Sequence, residues 1–111
     1  MKVLHEGLVK NETLEYLSLC KCNITNAGAE ELAKLLRSNS KLQSLWVLGN
    51  REIGDAGARS LAAALSEGSD VNATLDRIYM GGNSISSECE AECVRKTNGR
   101  IVFLPDEFID M

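Results

Sequence analysis

Four cysteines and a single histidine are the residues whose chemistry first suggests a site in this chain. Cys20 and Cys22 are separated by one residue, Cys89 and Cys93 by three, and His5 lies near the first residue. Thiols spaced in this way can ligate zinc, or they can form disulfides in a secreted protein. Residues 1–7 lack the apolar core of a signal peptide, so we expect a cytoplasmic protein whose thiols are reduced.

Other catalytic arrangements find no support in the sequence. No Ser-His-Asp set can be built around His5, and Gly81-Gly82 is not followed by the Lys-Ser/Thr pair of a phosphate-binding loop. The acidic residues between 88 and 92 alternate along a predicted helix and therefore point in different directions. We expect no catalysis and no cofactor.

Length and composition indicate one globular domain. The chain has 111 residues, of which 44% are hydrophobic and 25% are charged, and this is enough for a real core. Its net charge of −4 argues against nucleic acid or an anionic membrane surface as the main partner. No apolar run approaches the roughly 18–20 residues that span a bilayer.

An internal repeat predicts the elements that position these residues. Three segments share the pattern apolar-x-x-apolar-x-apolar-x-x-(Asn/Cys), and they begin at Leu14, Leu42 and Leu75. The first period is 28 residues and the second is 33, mainly because the second repeat has a longer return loop. This pattern is the signature of a leucine-rich repeat.

A helix is predicted after each of these strands. Downstream of Ile24 and Ile53, apolar residues recur three and four positions apart, as on one face of an α-helix. Asn26, Asp55 and Ser86 lie at the predicted helix starts and are residue types that cap helix N-termini. Each repeat is therefore predicted to be strand, turn and helix, and residues 100–104 are predicted to form a last strand.

These elements predict a single leucine-rich-repeat domain over residues 1–111. It divides into a half repeat (1–13), repeats over 14–41, 42–74 and 75–99, and a cap strand with an acidic tail (100–111). The chain begins in the middle of a repeat, so we expect the strand at Leu14 to be an open sheet edge. Further repeats of a longer array, or a partner, would cover that edge.

The repeats resemble those of ribonuclease-inhibitor-type leucine-rich-repeat proteins. The pattern Ile-x-x-x-Gly-Ala-x-x-Leu-Ala occurs within residues 24–36 and again within 53–65, and the resemblance covers about residues 1–104. Repeats of this type also occur in NOD-like receptors, in Ran GTPase-activating protein and in scaffold proteins. The resemblance implies an α/β solenoid, a horseshoe segment with parallel strands on its concave face and helices on its convex face.

The same resemblance gives the cysteines separate places. Cys22 would take the Asn/Cys position that is buried and bonds the backbone of a neighbouring turn. Cys93 would face the helix core, and Cys89 would stand where the other helices have glycine. Cys20 would point to the concave side. The two pairs would lie two repeats apart on opposite faces, which excludes a joint zinc site.

The concave face is where this resemblance places a partner. The third, fifth and seventh positions of each strand motif would project from it and form one surface across the stacked strands. Because Trp, Tyr and Arg are enriched in binding hot spots, we expect Trp46 and Tyr79 to be anchors. The predicted partner-binding residues are Tyr16, Ser18, Cys20, Ser44, Trp46, Leu48, Arg77 and Tyr79.

The predicted function is a non-catalytic protein-interaction module or scaffold that binds a protein partner through the concave face. One alternative is a structural subunit that packs end to end through its open edge strand in a larger assembly. Another is a fragment of a NOD-like receptor or a Ran GTPase-activating-type regulator. In the latter, Arg51 is the only basic turn candidate, and we expect its neighbour Asn50 to bond backbone instead.

Overall fold

The computed structural model describes residues 15–38, 41–68 and 71–104. Within them four strands alternate with three helices: β1 (Tyr16–Ser18), α1 (Asn26–Ser38), β2 (Ser44–Trp46), α2 (Asp55–Ser66), β3 (Arg77–Met80), α3 (Ser87–Lys96) and β4 (Ile101–Phe103). The strands form one parallel sheet in the order β1-β2-β3-β4. The predicted solenoid architecture is confirmed. His5, Leu14 and the acidic tail after residue 104 lie outside the described residues.

The core lies between the sheet and the helices. Strand register aligns Leu17, Leu45, Ile78 and Ile101 across the sheet, and the last three are fully buried. The helices contribute the apolar face that their periodicity predicts, including the buried Leu32, Leu61 and Cys93. Burying such side chains supplies the main driving force for folding, about 1.5–3 kcal/mol for each large aliphatic side chain.

Glycine at position 57 sets how closely α1 and α2 approach. A Cβ atom on Gly57 would lie 2.7 Å from Asn26 Oδ1 and 2.9 Å from Ala29 Cβ, so no side chain fits there without movement. In α3 the equivalent position is Cys89, as the repeat alignment predicts. Its buried thiol donates to the carbonyl of Asp55 at 3.7 Å.

Asparagine side chains bond the turns of successive repeats. Asn50 is 0% exposed, and its Oδ1 accepts from the backbone N–H groups of Cys22 (2.9 Å) and Ile24 (3.2 Å). Its Nδ2 donates to the carbonyl of Leu19 at 2.9 Å. Asn83 donates in the same way to the carbonyls of residues 47 and 50. Each amide thus reaches back into the preceding repeat.

Cys22 occupies the same repeat position, but the prediction that it is buried is wrong. Its side chain is exposed, and its thiol donates only to the carbonyl of Cys20 at 3.4 Å. The reason is the direction of the asparagine contacts. A side chain at this position points toward the preceding repeat, and the described part of the chain places no turn on that side of Cys22.

The helix caps also differ from the prediction. Thr25 caps α1, because its Oγ1 accepts from the N–H of Gly28 at 3.3 Å. Asn26 instead serves the following repeat: its Oδ1 accepts from the N–H groups of Gly54 (2.8 Å) and Gly57 (2.9 Å) at the start of α2. The interpretation of Asn26 as the cap of its own helix is therefore wrong.

Asp55 repeats this arrangement one repeat later. Its carboxylate accepts from the backbone N–H and the hydroxyl of Ser86, both at 2.8 Å, and not from the N-terminus of its own helix. Ser86 is the N-cap of α3, as predicted, and its Oγ accepts from the N–H of Cys89 at 3.2 Å. Each repeat therefore supports the start of the next helix.

Two arginines bind the C-terminal end of α2, whose own last turn has no basic residue. Arg37 donates to the carbonyls of Ala63 (3.0 Å) and Glu67 (2.8 Å), and Arg100 donates to that of Leu65. The contacts to Leu65 and Glu67 satisfy carbonyls that helix geometry leaves open, and both guanidinium groups complement the helix dipole.

None of the described helices combines the length and apolarity that crossing a membrane requires.

Candidate functional site

Two rows of side chains cross the concave face of the sheet. Strand register sets Tyr16, Ser44 and Arg77 side by side, and we call the line that they form with Arg100, just before the last strand, the third row. The fifth row runs through Ser18, Trp46, Tyr79 and Val102. Alternate strand residues face the same side of a sheet, so both rows belong to one surface.

Aromatic rings dominate the middle of this surface. The rings of Trp46 and Tyr79 are stacked, with centroids 4.0 Å apart and planes 21° apart. Tyr16 lies diagonally across from Trp46, with centroids 5.9 Å apart and planes 41° apart. Neighbouring strands are about 4.8 Å apart, so the stack runs from strand to strand and the ring edges face outward.

The three aromatic side chains differ in exposure. Tyr16 is 55% exposed, whereas Trp46 and Tyr79 are half-buried by their neighbours. The indole N–H of Trp46 is buried without an acceptor among the described residues. Such a donor typically costs about 1–3 kcal/mol. The fold thus keeps an unfavourable polar group in the middle of its aromatic surface.

The seventh positions of the strand motifs are less accessible than predicted. Leu48 is 4% exposed and Gly81 is buried, whereas Cys20 is half-buried and its sulfur accepts from Ser18 Oγ at 3.5 Å. β2 ends at Trp46, so the alternation of a strand stops before Leu48. Leu48 therefore packs inside, and its proposed role as an exposed contact residue is wrong.

Hydrogen-bond donors without acceptors surround the aromatic stack. The hydroxyls of Tyr16, Ser44 and Tyr79 have no hydrogen-bond partner within the described residues. Arg77 uses its Nη1 for the carbonyl of Asp76 (3.0 Å) and lies 3.6 Å from the Asp76 carboxylate. This part of the surface is therefore rich in donors.

Arg100 stands beside Arg77 but turns its guanidinium away from the aromatic rings. It donates to the carbonyls of Leu65, Asn72 and Leu75 at the end of the sheet where the strands begin. Burial lowers the pKa of Arg100, and the positive charge of Arg77 lowers it further, whereas Asp76 opposes both. The positive charges of Arg77 and Arg100 therefore repel each other.

The buried thiols are poorly suited to chemistry. Cys89 and Cys93 face each other on α3 with their sulfurs 4.0 Å apart, and both are buried. Burial raises the pKa of Cys93 to about 12, with the nearby Cys89 adding to the shift, and burial also raises the pKa of Cys89. Protonated thiols are weak nucleophiles and weak metal ligands.

No other chemical site forms among the residues that the structure describes. These residues include no group of three or more His, Cys, Asp or Glu positioned to hold a metal ion, and all four cysteines are free. Asn50 bonds backbone, as predicted, and Arg51 is exposed beside it. The rings and donors of the concave rows are thus the best-developed candidate surface.

Sequence reasoning missed two members of this surface, Val102 and Arg100. Both lie on or beside β4, which lacks the full strand motif and so was not aligned with the three repeats. The signal was present, because the apolar Ile101 pairs with Ile78 and marks the fourth motif position. Counting from Ile101 places Arg100 in the third row and Val102 in the fifth.

Comparison with known proteins matches this repeat. The family model described as "Leucine Rich repeat" matches residues 10–33 and 38–62. The chain is 41% identical over 68 residues, 60% of its length, to a ribonuclease inhibitor from Sus scrofa. It is 33% identical over 90 residues, 80% of its length, to "NACHT, LRR and PYD domains-containing protein 4C" from Mus musculus.

The chain spans 15% of the length of the first relative and 9% of the second. Among solved structures, it resembles the actin-binding site 2 of leiomodin-1, with a TM-score of 0.72 and 18% sequence identity. That match covers 90% of this chain and 59% of the other. At this identity the likeness concerns the fold alone, and the repeat type rests on the sequence relatives.

Proposed function

Because the chain is a leucine-rich-repeat protein of the ribonuclease-inhibitor type, we propose that it is a non-catalytic module that binds a protein partner through its concave face. The relatives include a ribonuclease inhibitor and a protein named for its leucine-rich repeats, which supports protein binding in general. The observation that supports binding through the concave face is the aromatic cluster of Tyr16, Trp46 and Tyr79.

This aromatic cluster has the properties of a binding hot spot. Large aromatic residues with an adjacent arginine are over-represented in hot spots, and they act best near the centre of a contact surface. Trp46 and Tyr79 occupy the two middle strands of the described sheet, and both are half-buried by their neighbours. Packing of this kind holds the rings in place before binding, which reduces the entropy lost on association.

The test is a quantitative capture experiment with the full chain as bait. The double variant Trp46→Ala/Tyr79→Ala should retain the far-ultraviolet spectrum of the fold and lose most of the captured partner. The stack that it removes contributes only about 0.5–1.5 kcal/mol beyond area burial. The partner is then purified and its affinity for both proteins is measured directly.

Val71→Ala/Val94→Ala is the matched control. It removes two exposed apolar side chains that lie outside the concave rows. Binding by this control should equal binding by the unmodified chain. A partner that binds the Trp46→Ala/Tyr79→Ala protein with unchanged affinity would overturn concave-face binding.

Docking through an open repeat edge is a second candidate. β1 pairs only with β2 among the described residues, and the exposed Cys22 faces away from the following repeat. Open edges of this kind can pair with another chain. An oligomer that persists in the Trp46→Ala/Tyr79→Ala protein would favour this candidate. We place either activity in the cytoplasm, where the four free thiols would stay reduced.

A further inference from the structure

The concave rows differ in charge from the rest of the chain. The chain carries 16 acidic and 12 basic residues, yet its two rows contain no carboxylate within the described residues. Their members are Tyr16, Ser44, Arg77 and Arg100 in the third row, and Ser18, Trp46, Tyr79 and Val102 in the fifth. The charge on these rows is therefore cationic, on a chain that is acidic overall.

The cationic side chains are only partly compensated. Arg77 lies in β3 and Arg100 directly precedes the neighbouring β4, and Asp76 is the one carboxylate within 4 Å of Arg77 in the described structure. The Asp76 side chain is 73% exposed, so solvent weakens its pairing with Arg77. Arg77 uses only Nη1 in hydrogen bonds to described residues, so its Nε and Nη2 remain available.

The aromatic stack adds to this polarity. Each ring of the Trp46–Tyr79 pair uses one face for the other ring, so a partner meets ring edges and hydroxyls. Ring edges carry the positive end of the aromatic quadrupole. The hydroxyls of Ser44 and Tyr79 are donors without partners in the described structure, and Ser44 is the direct neighbour of Arg77.

We propose that the partner presents an acidic segment to this face, with a carboxylate held by Arg77 and hydrogen-bonded by Ser44 and Tyr79. The proposal rests on the concave-face function given above and names the chemistry of its partner. Arginine pairs with carboxylates through two parallel hydrogen bonds, and its free Nε and Nη2 provide that geometry. A basic segment would meet the guanidinium of Arg77 and be repelled.

Selection from a random peptide library displayed on phage tests this proposal. The full chain is the target, and phage that bind Trp46→Ala/Tyr79→Ala are removed. The recovered peptides should be enriched in Asp and Glu beside apolar residues. A synthetic copy of the best peptide should lose about tenfold in affinity for Arg77→Gln, a typical effect of removing one partner of a partly buried ion pair.

Arg95→Gln is the control for net charge, because it removes the same charge from an exposed position on α3. Its affinity for the peptide should be unchanged, and binding to the unmodified chain should weaken as salt is added. Tyr79→Phe and Ser44→Ala should each reduce affinity less than Arg77→Gln does.

The outcomes separate this proposal from the function on which it rests. Peptides that need Trp46 and Tyr79 but are neutral or basic would overturn the acidic partner and leave concave binding intact. Acidic peptides that bind Arg77→Gln as well as the unmodified chain would do the same. Failure to recover any peptide that distinguishes the unmodified chain from Trp46→Ala/Tyr79→Ala would contradict both.

Discussion

The two boundaries between successive repeats solve one packing problem with different chemistry. At the first boundary, between the repeats of α1 and α2, the neutral amide of Asn26 caps α2, and Gly57 allows close helix contact. At the second boundary, between the repeats of α2 and α3, the carboxylate of Asp55 binds Ser86, and Cys89 replaces the glycine.

Ion pairs also link the helices at the second boundary. Lys96 lies 3.2 Å from Glu92 and 3.7 Å from Glu67, and Arg59 lies 4.0 Å from Glu92. The hydrogen bond from Lys96 lowers the pKa of Glu92, and the same bond raises the pKa of Lys96. Lys96, Glu67 and Arg59 are exposed and Glu92 is half-buried, and ion pairs so close to solvent contribute little stability.

The difference follows from how much apolar surface each helix offers. α1 and α2 each bury six residues, whereas α3 buries only Cys89 and Cys93. A helix with so small an apolar face depends more on hydrogen bonds and charge for its position. The position of the last described helix, α3, therefore depends in part on contacts that respond to pH and salt.

The largest expected effect concerns the buried amides. Asn50→Ala would leave the N–H groups of Cys22 and Ile24 and the carbonyl of Leu19 without their partner, and we expect a loss of about 2–3 kcal/mol. Asn83→Ala at the second boundary should cost about 1 kcal/mol, because Asn83 is only half-buried. Urea unfolding measures both. Equal losses would remove this asymmetry between the boundaries.

The helix contacts give the next effect. Gly57→Ala should destabilise the fold by about 1–3 kcal/mol, since the new Cβ meets Asn26 and Ala29. Cys89→Ala at the equivalent place should cost about 1 kcal/mol or less, since only one sulfur is lost. The comparison uses urea midpoints at one temperature. A Gly57→Ala protein as stable as the unmodified chain would show that α1 can shift freely.

Alkaline pH should weaken the second boundary. Burial raises the pKa of Cys93 to about 12 in the folded state, whereas the unfolded thiol titrates near its ordinary 9.0. The stability that this protonated thiol contributes is complete below the unfolded value and is lost as pH rises toward the folded one. The urea midpoint should therefore fall more between pH 9.0 and about pH 12 than it does in Cys93→Ala. Parallel curves for the two proteins would contradict the prediction.

The smallest expected effect lies at acid pH. The hydrogen bond from the Ser86 backbone, and then that from its hydroxyl, lower the pKa of Asp55 below its ordinary 3.8. The contribution of this carboxylate is present above the ordinary pKa and is lost as pH falls through the lowered value. Asp55→Asn should reduce the acid sensitivity of the melting temperature, and Asn26→Asp should introduce such sensitivity at the first boundary. An unchanged acid response in Asp55→Asn would remove Asp55 as its source.

Local patterns predicted most of the fold. Helical spacing identified Leu32 and Leu61 as core residues because both are set by the same periodicity that forms the helix. The caps were assigned wrongly because Asn26 and Asp55 find their partners one repeat away, and spacing along one helix cannot show this. Leu48 was placed outside because the motif alone does not mark where β2 ends.

The candidate surface was predictable to the extent that strand register is regular. Tyr16, Trp46 and Tyr79 were placed on one face from the repeat, and the register brings their rings into contact. The stacking geometry and the orientation of Arg100 depend on side-chain packing between strands. Neither feature can therefore be predicted from the order of residues along a single strand.

The exchange of groups between neighbouring repeats has a consequence for how the array melts. The side-chain amide of Asn50 bonds the turn of the preceding repeat, whereas the side-chain oxygen of Asn26 bonds the start of the helix in the next repeat. Removing or unfolding one repeat would leave polar groups on both neighbouring repeats without their hydrogen-bond partners. If each repeat is treated as one unit of a linear array, the interaction free energy between adjacent repeats then exceeds the folding free energy of a single repeat. Amide hydrogens on α1 and α2 should therefore exchange in one cooperative event rather than repeat by repeat.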